Sequence, residues 1–137
     1  MNSSRIAVIA ATAAAVLWAA KATAIGIAGG LDKSPLETPL FIAGLTCFVV
    51  GVLAFGVSLA RRARLPLRVV AALGMVVLGV GYAAVLSMTV DGLVTPTADR
   101  HWAWAEISLW VGGLTLLVAT WAFARRRSIE PGGVTPA

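Results

Sequence analysis

Charge is scarce in this chain. Asp, Glu, Lys and Arg make up 12% of its 137 residues, and there is one histidine, one tyrosine and one cysteine. A lone cysteine, Cys47, excludes an internal disulfide and any Cys-x-x-Cys redox pair; inside an apolar run it reads as a small packing residue. The single histidine leaves little for a metal. His101, Asp99 and Glu106 are spaced by two and five residues, which does not put all three on one helix face, and a structural zinc needs ~4 ligands. No nucleophile–base pair and no acidic metal cluster occur, so neither an enzyme nor a cofactor protein is expected. Also missing is a polar stretch long enough to fold as a separate soluble domain.

What the chain has instead is apolar sequence. Hydrophobic residues make up 59% and the mean hydropathy is +0.91, far from soluble averages. Four apolar runs, residues 6–28, 40–60, 69–90 and 102–124, are 21 to 23 residues long. At ~1.5 Å per residue each crosses ~30 Å of hydrocarbon. The expected fold is an all-α membrane protein, an antiparallel four-helix transmembrane bundle forming one domain over 1–127, with a disordered cytoplasmic tail at 128–137. The first run has signal-peptide features: Arg5 before an apolar stretch, then Ala22-Thr23-Ala24 as a cleavage-like triplet. The apolar sequence continues through Ala28, which favours a spanning helix.

The net charge of +5 does not point to nucleic acid, because no aromatics interleave with the arginines. When the four runs are threaded in alternation, Arg5, Arg61, Arg62, Arg64, Arg68, Arg125, Arg126 and Arg127 fall on one side. Lys33 and Arg100 fall on the other, among Asp32, Glu37, Asp91 and Asp99. This positive-inside bias predicts both termini in the cytoplasm, in a plasma (inner) membrane. The basic clusters are expected to attract anionic lipid headgroups. The Ala-, Val- and Arg-rich usage resembles that of a high-GC bacterium.

Local signals agree with these boundaries. Gly29-Gly30 suits a helix C-terminus. Ser34-Pro35-Leu36-Glu37 matches a capping box with proline at the first helical position, and Pro66 marks a turn into the third helix. Thr97 or Asp99 is expected to cap the fourth. Ala7, Ala11, Ala15 and Ala19, the Gly79/Ala83 pair, Gly74, Gly81, Gly44, Gly51, Gly56 and Gly112-Gly113 allow close helix approach in lipid. These small residues are read as internal packing rather than as a homodimer surface.

Two ionisable residues lie inside the runs, Lys21 in the first and Glu106 in the fourth. A lysine at the centre of a membrane helix costs ~2.5–3.5 kcal/mol on insertion scales. The seven strong apolar residues of the first run return only roughly 2 to 4 kcal/mol, so Lys21 needs a partner. Its backbone lies ~24 Å above Arg5, and Glu106 lies ~28 Å above Arg125, which makes Glu106 the candidate partner. Side chains lean toward their own helix N-terminus, which opposes the pairing by widening the gap. Trp102, Glu106 and Trp110 follow at i+4 spacing, and Trp18 is three residues from Lys21. Lys21, Glu106, Trp18 and Trp110 are therefore the candidate ion-pair or ligand-binding residues. Small multidrug exporters place a glutamate in the middle of their first helix. Here that helix carries a lysine, so no functional residue carries over.

The leading functional expectation is a non-enzymatic accessory or structural membrane subunit, with another membrane protein or a second copy of the chain as its partner. The alternative is a small transporter or proton-linked ligand-binding protein using the Lys21/Glu106 site, since intramembrane ionisable residues are functional candidates.

Overall fold

The computed structural model describes residues 2–94 and 101–129. These form four helices: α1 (Ser3–Ala28), α2 (Glu37–Leu59), α3 (Leu65–Leu93) and α4 (Ala103–Ile129). All four are long and apolar enough to cross a membrane. The apolar runs mark their positions, and the helices extend past the runs wherever a polar end does not break the backbone pattern. Thus α3 takes in Pro66 within its first turn, where a missing amide costs nothing. At the other end of the chain, α4 runs to Ile129 and takes in part of the segment expected to be tail. The capping candidates Thr97 and Asp99, and residues 130–137, lie outside the described residues.

The α1–α2 connection closes as the glycine pair suggests. Gly29 adopts φ 80°, and the Gly29 and Gly30 amides donate to Gly26 and Ile25 carbonyls at 3.3 and 3.1 Å. This left-handed turn satisfies carbonyls that the helix leaves open. The expected capping box does not form. The N-cap of α2 is Leu36 with no side-chain cap. Ser34 Oγ instead accepts from the Leu36 amide at 3.3 Å, and Glu37 Oε2 accepts from the Asp32 amide at 2.8 Å. Asp32 itself has φ 60°, so the loop doubles back and presents its amide where a box would have needed that of Ser34. Between α2 and α3, Arg68 acts as a staple: its Nε and Nη2 donate to the Ala63 and Arg61 carbonyls at 3.0 and 2.6 Å.

Packing is uneven. α1 lies against α2 and α4, α2 also lies against α3, α3 meets α4 more lightly, and α1 does not touch α3. The buried side of α1 is Ala7, Ala10, Ala11, Ala14, Trp18, Lys21, Ala22 and Ile25. The expected stripe of every fourth alanine drifts off this face: Ala15 is half-buried and Ala19 exposed. Steps of four rotate ~40° each, whereas alternating steps of three and four stay on one line. α3 buries a single residue, Ala72, and exposes Val70, Leu73, Val77, Leu78, Val85 and Met88. Such a surface is intolerable in water and ordinary against lipid.

Glycine sets the close crossings. A Cβ at Gly56 would lie 2.7 Å from Ala72 Cα and 2.8 Å from the Ala71 carbonyl, so α2 and α3 touch backbone to backbone there. Gly51 meets Ala11 and Leu116. The expectation of internal packing does not extend to Gly74 and Gly81, which open to empty space on α3, and nothing stands within 4 Å of the Gly112 position either. Hydroxyls in the spans are satisfied locally. Thr12, Thr46, Thr89 and Thr115 each donate to the carbonyl four residues back at 2.7 to 2.8 Å, as hydrocarbon surroundings require.

Candidate functional site

The candidate site is built on three helices. α1 supplies Trp18 and Lys21, α4 supplies Glu106, and the first two turns of α2 supply Glu37 and Phe41. Lys21 and Glu106 are buried, at 5% and 4% exposure. Lys21 Nζ donates to Glu106 Oε1 at 2.6 Å. The inclination that opposed this pairing is overcome by the reach of the lysine, whose four-carbon stem covers the residual offset in height.

A second acid, not anticipated as a site residue, joins the pair. Glu37 Oε1 lies 4.0 Å from the same ammonium, while its other oxygen holds the Asp32 amide of the α1–α2 loop. Glu37 thus ties the buried lysine to the loop above it. Lys21 also stands 5.2 Å from the centroid of the Phe41 ring, within cation–π range. One cation therefore faces two carboxylates and an aromatic face. Glu106 Oε2 is buried and has no hydrogen-bond partner among the described residues.

Trp18 lies within the bundle, 3% exposed, wedged between two glycines. A Cβ at Gly44 of α2 would overlap its indole nitrogen, and one at Gly113 of α4 would come within 3.0 Å of its six-membered ring. Phe48 packs on it, with centroids 5.4 Å apart. Its Nε1 is the second buried polar atom without a partner among the described residues.

Trp110 does not join the carboxylate. It is 40% exposed and lines a groove of about 660 Å³ between α1 and α4, with Trp18, Ala22, Gly26, Trp102 and Leu114. Neither Lys21 nor Glu106 lines that groove. Trp102 and Trp110 both stand at the groove, while Glu106, between them in sequence, reaches Lys21. His101 stacks at a tilt on Trp102, 5.3 Å between centroids, and its Nδ1 accepts from the Ala103 amide at 3.3 Å. That nitrogen is engaged with the start of α4.

The role of Glu37 was hidden by its position beside Ser34 and Pro35, where a capping function accounts for an acid equally well. The burial of Trp18 depends on glycines of two other helices and carries no local signal. No protein-family model, curated protein or solved structure matches the chain.

Proposed function

We propose that this chain is a non-enzymatic membrane subunit, accessory or structural in role, whose Lys21–Glu106 pair fixes the register of α1 against α4. The carrying observation is the closed pair itself: a 2.6 Å contact between two groups at most 5% exposed. A buried polar pair of this kind is best attested as a device for register and specificity. A substrate-binding acid, by contrast, has to be reachable.

The topology proposed with it is an antiparallel bundle in a bacterial plasma membrane, both termini cytoplasmic. The contacts that support it run in opposite order along α1 and α2: Lys21 with Glu37, Trp18 with Gly44, Ala11 with Gly51. The clustering of arginines at Arg5, Arg61–Arg68 and Arg125–Arg126 supports the orientation. The docking partner in this reading is another membrane protein or a second copy of the chain.

The transporter reading keeps one specific observation in its favour, the unpartnered Glu106 Oε2. Proteoliposomes carrying a pH-sensitive dye and an imposed proton gradient separate the two. The expected result is no proton flux that depends on Glu106. Flux in the native chain that Glu106→Gln abolishes, with helicity intact, would replace the structural reading with the transport one.

A further inference from the structure

We propose that the arginine end of the α1–α4 seam is a specific seat for one anionic glycerophospholipid. The pocket there is about 340 Å³ and is lined by Ser4, Arg5, Val8, Ile9, Trp121 and Arg125. Its polar side chains are two arginines from two different helices, one serine and the Trp121 indole, and none of its lining residues is acidic. Trp121 holds the Arg125 guanidinium 3.7 Å from its ring centroid, so this cation is oriented before any ligand arrives. Phosphate oxygens suit such an arrangement, since guanidinium groups bind them through parallel charge-assisted hydrogen bonds.

The seam also accommodates the rest of the lipid. Val8 and Ile9 continue the pocket wall along α1, and the large apolar groove on the same helix pair begins at Ala15. Arg5 to Ala15 is ten residues, ~15 Å of helix. One leaflet of hydrocarbon is also ~15 Å, half of ~30 Å. An acyl chain whose phosphate rests between Arg5 and Arg125 therefore ends where the groove opens. The occupant has a headgroup with net negative charge and at least one chain laid between α1 and α4. This seat does not involve the Lys21–Glu106 pair and stands or falls independently of its role.

Native mass spectrometry of the full chain released from detergent micelles tests this, with dioleoyl phosphatidylglycerol and dioleoyl phosphatidylcholine as probes. The expected result is one phosphatidylglycerol retained under activation that strips phosphatidylcholine. Arg5→Gln and Arg125→Gln should each weaken that adduct at least tenfold, following the ~1.5–3 kcal/mol of a hydrogen bond to a charged group. Arg126→Gln, one residue beyond the pocket, should leave it unchanged. Val8→Trp should remove it with both arginines in place, and circular dichroism reports that each variant keeps its helices. Equal retention of the two lipids, several equivalent phosphatidylglycerol adducts, or an Arg126→Gln effect as large as that of Arg125→Gln would overturn the seat in favour of diffuse surface attraction.

Discussion

Removing either member of the Lys21–Glu106 pair should not cost the same, because Glu37 stands on one side of the balance only. In Lys21→Met the buried Glu106 carboxylate loses its cation, and Glu37 loses it too. A stranded buried charge costs ~3–5 kcal/mol. In Glu106→Gln the ammonium loses its 2.6 Å partner and keeps the Glu37 contact that it already had at 4.0 Å. Coulomb attraction falls inversely with distance, so only about two-fifths of the native attraction survives. The loss should then be ~2–3 kcal/mol, about three-fifths of the stranded-charge cost. The double variant gives the sharper test. Once Lys21→Met is present, Glu106→Gln removes an uncompensated buried charge, so it should stabilise, reversing its sign relative to the native background. The coupling between the two substitutions should exceed ~2 kcal/mol, since the loss in one background and the gain in the other add. Equilibrium unfolding in dodecyl maltoside micelles titrated with SDS, followed by helicity, measures all three variants. Equal single-variant losses would show that Glu37 does not serve Lys21. A double-variant loss equal to the sum of the singles would show that the two side chains do not interact across the bundle.

Gly56→Ala should destabilise by ~1–3 kcal/mol, since its methyl meets Ala72 Cα and the Ala71 carbonyl, backbone atoms that cannot swing aside. Gly74→Ala, with nothing within 4 Å, should be neutral or stabilising by up to ~1 kcal/mol through helix propensity; the same unfolding titration compares them, and similar losses would refute the close α2–α3 crossing. Trp18→Phe keeps an aromatic wedge and deletes a buried donor without a partner, a group whose isolation costs ~1–3 kcal/mol. This gain offsets the lost ring volume and leaves stability within about 1 kcal/mol, whereas a loss above ~2 kcal/mol would mean that the indole N–H is satisfied. Tyr82→Phe removes the 3.0 Å contact between Tyr82 and Thr115. It should cost only ~0.6 kcal/mol, since the Thr115 hydroxyl still has the Val111 carbonyl at 2.7 Å, and thermal unfolding in detergent reads this.

What a sequence can disclose about a bundle in lipid depends on whether a residue is dear or cheap to place there. Lys21 is costly at depth, so helix rise alone singles out Glu106, the one acid inside another apolar run. The pairing, at 2.6 Å, follows from that scarcity. Glu37 escapes the same reasoning because it stands at a helix start, where an acid has an ordinary use. Apolar residues disclose less. α3 is apolar on every side, so nothing in its pattern says that only Ala72 is covered. In water a polar face would have marked the outside; in hydrocarbon both faces read alike. Glycines share that ambiguity. Gly56 and Gly74 are indistinguishable in their flanking sequence, yet one carries a backbone crossing and the other faces open space. Trp18 shows how the two kinds of information combine. Its burial is fixed by Gly44 and Gly113 on separate helices, and those helices meet α1 beside the residues that bear charge, Glu37 on α2 and Glu106 on α4. The ionic cluster sets which helices surround α1 and at what height, and glycine then lets them close. Weakening the cluster should therefore loosen the Trp18 wedge, so Lys21→Met should shift tryptophan emission before helicity is lost, while Gly74→Ala should leave the emission unchanged.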